Sequence, residues 1–464
     1  MNKIFINVLI SLLIIKESYF SEFISLKLID YNEDQLTNYK NSENITENFV
    51  NFYIKNKYYT PLEIGTSPQK IKAWIDFEEY SCYLLKDTCP LNNSKYDQEK
   101  SSTFQIDSFY NNKFTYLDYG SAFFISETIT VNNTNNEKIF LGNIPIIFMP
   151  NPSNDSKYSL IYKNIQLTNN SCLTIGLGPL NNKRHITKKN LLTLLKENKL
   201  IDYNLFFVFD DKTKNEKSLI IGNYPEKIFG DKYKIKKPKK TKMFLFNKNK
   251  SLWGLEVHIL RTGKSVFDNI GVALKLNLNV IIGTNDYFNF INYFYFEGYI
   301  EKKICKKEEI NEYIIFYCDK KKFGLQDIKK LPKIEMKQFK LNYTFIMDYE
   351  DLFLIQGNYI LFKIVFYAKF TNKIWEFGKP FFDKYFFVFN FDQNEILYYK
   401  DLSKDKIDNI QVKDKNHIFI IIFLPIIICV ICFCFGRKIY MNRTKKLVDA
   451  KELEQRFTSY KAIK

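Results

Sequence analysis

Asp76 ends an alternating stretch, Lys70-Ile71-Lys72-Ala73-Trp74-Ile75-Asp76, and opens a turn that continues Phe77-Glu78-Glu79. A carboxylate there can cap backbone amides, or it can move protons. Proton chemistry on a peptide needs a partner, since one group must accept a proton while another donates one. Glu78 and Glu79 stand beside Asp76, and Asp268 and Asp286 lie farther along the chain. Other chemistry finds little support. The three histidines, His185, His258 and His417, are widely separated and read as single core or surface residues, so no His/Cys metal cluster is expected. No G-x-S-x-G elbow and no glycine-rich phosphate loop occurs, which argues against a serine hydrolase and a nucleotide enzyme. No cofactor is expected.

The ends of the chain set its address. Residues 1–20 begin with Lys3 and the apolar run IFINVLISLLII, the charged start and short hydrophobic core of a secretory signal peptide. Residues 417–435 (HIFIIIFLPIIICVICFCF) carry no fixed charge and approach the ~20 residues that cross a bilayer as a helix. Arg437, Lys438, Arg443, Lys445 and Lys446 follow, which places 436–464 in the cytosol and the body of the chain in the lumen or outside. The expectation is a type I membrane protein of the secretory pathway. A net charge of +17 would otherwise suggest nucleic acid, but that address removes the partner, and the lysines are scattered singly through Asn-, Ile-, Tyr- and Phe-rich sequence. Sequons at Asn44, Asn92, Asn132, Asn154, Asn169 and Asn342 suit a lumenal glycoprotein.

Between these ends, short β-branched and aromatic runs alternate with Asn, Gly, Lys and Asp clusters at strand-length spacing. Two stretches carry a helical pattern: Thr187 to Asn198, with Thr187 as the expected N-cap, and the aromatic segment Asp286 to Gly298. The lysine cluster from Lys232 to Lys242 reads as a loop between lobes. The fold class is therefore mainly β.

Ordered landmarks then carry a resemblance. Tyr59 to Gly65 with Ser67-Pro68-Gln69, Tyr96 with Ser101-Ser102-Thr103-Phe104, Tyr116 to Ser121, Ile175-Gly176-Leu177-Gly178, Ser218 to Tyr224, Trp253 to Val257 and Trp375 to Tyr399 are similar, in order, to segments of the pepsin-like aspartic proteases (peptidase A1). The resemblance implies two β-barrel-like lobes with a central cleft, a first catalytic Asp at Asp76, and a flap with Tyr116, Gly120 and Ser121. It also implies disulfides at two local cysteine pairs, Cys82 with Cys89 and Cys305 with Cys318, leaving Cys172 over. The expected organisation is 1–20 signal peptide, 21–51 prosegment or linker, 52–235 first lobe, 236–400 second lobe, 401–416 juxtamembrane linker, 417–435 membrane helix and 436–464 tail.

Departures from the family fall on its chemistry. The Asp-Thr-Gly turn reads Asp76-Phe77-Glu78, and the second turn reads Lys275-Leu276-Asn277, which puts Lys275 where the second Asp belongs. A cation there would pair with Asp76 and remove the general acid. Lys379 stands where the family has the Asp of a Gly-Asp step. The reading that follows is a pseudoprotease whose cleft binds a peptide or protein ligand uncut. An active aspartic endopeptidase with a relocated acid, and a structural or adhesive surface protein, are the alternatives.

Overall fold

The computed structural model describes residues 23–30, 53–85, 96–106, 114–115, 121–134, 137–151, 173–179, 189–211, 216–233, 235–244, 252–369 and 373–403. The signal segment, the membrane segment 417–435, the tail, Tyr116, Gly120, Cys89 and Cys172 lie outside these residues. No helix among the described residues is long and apolar enough to cross a membrane.

Among the described residues, two large sheets of 14 and 11 strands make up the body. The alternation of side chains in a strand decides which face is buried. Ile24, Leu26 and Leu28 of the strand Ile24–Asp30 all point into the core, as do Tyr58, Leu62 and Ile64 of Tyr58–Ile64. The larger sheet includes a six-stranded antiparallel run: Lys239–Lys242, Glu395–Tyr398, Phe387–Asn390, Leu205–Asp211, Glu216–Ile221 and Ile24–Asp30. Strands from both halves of the chain thus share one backbone ladder. Lys239–Lys242 is one of its edges, so the basic cluster expected as a loop is partly strand. Its register opposite Glu395–Tyr398 lets Lys240 and Lys242 both reach the nearly buried Glu395, at 3.6 and 3.0 Å.

Aromatic residues of both sheets pack around the short helix Lys379–Phe382. Phe345, Phe381, Tyr385, Phe387 and Tyr398 form a cluster of edge-on, tilted and stacked rings with centroids 4.9–6.1 Å apart. Ring pairs in this range favour one arrangement over a merely apolar interior. The disulfide Cys305–Cys318 forms across neighbouring antiparallel strands.

The helices differ in detail from their sequence patterns. The first is Leu191–Glu197, and its N-cap is Asn190, whose side chain accepts the Thr193 amide at 2.8 Å. Asn190 wins because the apolar face at Leu191, Leu192 and Leu195 starts immediately after it. The aromatic stretch starts at Thr284, which caps Asn285–Ile291, then widens into a π turn at Asn292–Phe296 and closes as Glu297–Glu301. That wide turn buries Phe296 against Phe316 while leaving Tyr293 and Phe294 exposed.

Candidate active site at the junction of two turns

Two strands of opposite halves deliver the site, and they do so in the same way. Gln69–Asp76 runs parallel to Leu173–Gly176, with Asp76 opposite Gly176. Ser265–Leu274 runs parallel to Trp375–Phe377, with Leu274 opposite Phe377, so Lys275 comes next, beside Gly378. Close packing supports the same equivalence. A Cβ on Gly176 would lie 2.6 and 2.4 Å from the carbonyl oxygens of Glu79 and Ser81, three and five residues after Asp76. A Cβ on Gly378 would lie 2.4 and 2.3 Å from those of Leu278 and Val280, three and five residues after Lys275. Only glycine permits either approach. Lys275 therefore holds, in the second turn, the place that Asp76 holds in the first.

The side chains cross over. Asp76 Oδ1 accepts the backbone amides of Glu78 at 2.8 Å and Glu79 at 3.1 Å, and the Asn277 side-chain amide at 3.2 Å. Lys275 does not take the expected pairing with Asp76. Its Nζ lies 2.8 Å from Glu78 Oε2 and 3.2 Å from Glu376 Oε2. The first residue of each turn is thus held by the third residue of the other: Asp76 by Asn277, and Lys275 by Glu78. The physical reason is multiplicity, since Lys275 meets two carboxylates in this arrangement. Tyr367 donates to the far oxygen of Glu376 at 3.4 Å, completing the surround.

Glu78 and Asn277 occupy positions where the family's backbone would favour glycine, yet neither has a positive φ. The turns accept side chains there, and the strict glycine requirement lies at Gly176, Gly178 and Gly378, which pack against the turns. The middle residues, Phe77 and Leu276, are buried and carry no hydroxyl. Phe77 stacks on Phe206 with centroids 5.7 Å apart and meets Tyr58 edge-on at 6.3 Å. In the second turn, the backbone oxygens of Leu276 and Asn277 accept the side-chain and backbone amides of Asn56 at 3.3 and 2.6 Å. Phe77 and Asn56 thus support the turns through apolar contacts and through backbone oxygens, beside the Lys275–Glu376 ion pair.

Burial raises the proton affinity of the Asp76 carboxyl above its ordinary value, and the Glu78 charge adds to this; the three donors to Oδ1 oppose it. For Lys275, burial alone would weaken proton binding, but Glu78 and Glu376 reverse that and hold it firmly protonated. Lys57 sits over the Trp74 ring at 5.8 Å. Burial, with the neighbouring Lys55 charge, pulls its ammonium down to about 7 against a smaller opposing effect of Asp76.

The remaining candidates are dispersed. Asp268 is exposed in the strand Ser265–Leu274, and Asp286 is exposed in the first turn of its helix. Neither is a partner for the half-buried Asp76. Glu79 accepts from Tyr83 at 3.1 Å. Lys379 forms a nearly buried ion pair with Asp30 at 3.1 Å, so its departure from the family pattern is matched by an acid on the N-terminal strand. Ser121 opens the strand Ser121–Asn132, while Tyr116 and Gly120 lie outside the described residues. Near that strand's middle, Glu127 is fully buried and accepts from Tyr96 and Thr103, two of the ordered landmarks.

Cys82 is a free, buried thiol. It lies just ahead of the strand Tyr83–Leu85, its carbonyl bonded to the Ile147 amide and its sulfur against the backbone of Gly176, so its side chain is committed inward. Burial pushes this thiol up to about 11. The pair expected with Cys89 is therefore not formed at Cys82.

No described His, Cys, Asp and Glu residues form a group that could hold a metal ion. Asn277 was the residue that sequence reasoning passed over. The signal for it was position: it is third after the β-strand in its turn, as Glu78 is in the first. The family model described as eukaryotic aspartyl protease matches residues 57–399. A comparison with curated proteins returns no significant match. The match spans both turns and well over half of the chain, and the chain belongs to the eukaryotic aspartyl protease family.

Proposed function

We propose that this protein is a type I membrane pseudoprotease of the secretory pathway, anchored through 417–435, whose inter-lobe cleft binds a peptide or protein without cutting it. One observation carries the reading: Asp76 meets an amide, Asn277, at 3.2 Å, and the equivalent residue of the other turn is a lysine committed to two glutamates. Peptide hydrolysis by an acid pair needs two carboxyls sharing a proton. An extended peptide needs less, because main-chain hydrogen bonds to strand edges give affinity without a dyad. In this reading Tyr116, Gly120 and Ser121 form a flap over the ligand. Purified protein should capture peptides from a diverse library and release them intact between pH 3 and 7. Pepstatin-sensitive turnover abolished by Asp76→Ala would overturn the reading.

A second reading, an active endopeptidase with an atypical site, draws on the Glu78 charge beside a half-buried, proton-retaining Asp76. It requires Glu78 to act while ion-paired to Lys275. The same turnover assay decides it.

A further inference from the structure

We propose that Asn277 makes the contact that silences Asp76: its amide stands, in space, where a second carboxyl would share the Asp76 proton, while Lys275 holds the second acid's place along the chain. Asn and Asp are nearly isosteric, differing only in the terminal NH2 or O. With Nδ2 already 3.2 Å from Asp76 Oδ1, a carboxyl in the same rotamer would place an oxygen at that separation. Two carboxyls so close cannot both ionise, and one keeps its proton to higher pH. Lys275 takes the second acid's place along the chain but has a different task. It neutralises Glu78 and Glu376, which would otherwise face each other as unpaired anions in a nearly buried space. The proposal deepens the pseudoprotease reading by naming the residue that removes the acid pair.

Surroundings of the contact are defined on every side. Glu78 and Glu79 come from the turn of Asp76 itself, Lys275 from the opposite turn, Glu376 from the strand beside it, and Lys57 from the segment ahead of Tyr58–Ile64. Phe77 and Leu276, the middle residues of the two turns, are buried. The Asp76–Asn277 contact also links the two halves of the chain directly, so its geometry is fixed by both turns. A substitution at 277 that keeps the side-chain shape should leave that geometry in place.

The test is a carboxyl-band infrared titration of the detergent-solubilised full chain, comparing wild type, Asn277→Asp, the double variant Asp76→Asn with Asn277→Asp, and Lys275→Met. In Asn277→Asp, one carboxyl should stay protonated to at least about two pH units above an ordinary aspartate, roughly a hundredfold in proton affinity. In the double variant the midpoint should fall back toward that of the wild type, because a single carboxyl again faces an amide at the contact. Lys275→Met should raise a separate band from Glu78 and Glu376, which lose their shared cation, while leaving a single carboxyl at the Asp76–Asn277 contact. Asn277→Leu supplies a second arm that keeps the fold apolar there: losing the amide donor should move the Asp76 midpoint upward. A band in Asn277→Asp that ignores the presence of Asp76 would overturn the proposal. So would an unmoved Asp76 midpoint in Asn277→Leu. Turnover by the wild type would instead defeat the pseudoprotease reading and is scored separately, in the peptide assay.

Discussion

Replacing Lys275 by Met is the perturbation that probes the crossed turns most directly. The ammonium is 13% exposed and bridges Glu78, 31% exposed, and Glu376, 14% exposed. Removing one partner of a buried ion pair typically costs about 3–5 kcal/mol, because an uncompensated charge is left behind. Here two carboxylates lose their counter-ion, but water reaches Glu78, so the lower end, about 3 kcal/mol, is the expected loss. With an unfolding entropy of roughly 2 cal/mol/K per residue over some ~400 residues, that lowers Tm by about 4 °C. Thermal unfolding of the detergent-solubilised full chain at pH 7 measures it. Glu78→Gln should cost less, since Lys275 retains Glu376. The double variant should fall short of the sum of the singles by about 1–3 kcal/mol, the coupling expected of groups in one network. A Lys275→Met protein within 1 °C of wild type, or strictly additive effects, would refute the argument that this lysine is a structural counter-ion.

Three further outcomes follow from the same surroundings. Asp76 has a raised proton affinity in the folded state, so its stabilising contribution is complete below the ordinary carboxylate range and is lost as pH rises through its folded value. Asp76→Asn should therefore gain stability relative to wild type between pH 4 and pH 7, read from urea midpoints at the two pH values. Lys57 has the opposite sense. Its ammonium is pulled down to about 7 in the fold and recovers about 10.4 when unfolded, so the unfolded chain binds more protons in that window. Wild-type stability should rise from pH 7 to pH 10 through this group, and Lys57→Met should lack that rise. Replacing Cys305 and Cys318 by Ala opens a cross-link between residues 13 apart, with an expected loss of about 3 kcal/mol in the unfolding free energy and no change in Cys82 labelling.

Much of the fold was legible because its landmarks are local. Tyr58–Ile64 and Gln69–Asp76 announce themselves by alternation, and the glycines at 176, 178 and 378 sit in short segments that tolerate nothing larger. What escaped is settled by partners far away in sequence. Cys82 and Cys89 are near neighbours along the chain, but the strand that follows Cys82 turns its sulfur toward Gly176. Lys239–Lys242 looks like a solvated cluster until Glu395 is placed beside it. Thr187 looks like a cap until Asn190 is seen to hold the Thr193 amide.

The site itself shows why position along the chain and position in space must be kept apart. Lys275 is equivalent to Asp76 by strand register and by the glycine that packs behind it, and that equivalence predicts a direct contact between them. The contact fails because the third residues of both turns carry side chains. From those positions Glu78 and Asn277 reach across the junction and hold the opposite first residue. Glu78 suits a cation, and Asn277 suits a carboxyl of either protonation state, since its amide offers both a donor and an acceptor. The four residues thus form two compatible pairs, whereas a direct Asp76–Lys275 pair would leave Glu78 and Glu376 without their present cation. Side chains at the third positions are accordingly what lets the first positions hold a carboxyl and an ammonium without a direct pair, and placing a carboxyl opposite Asp76 is a question about residue 277.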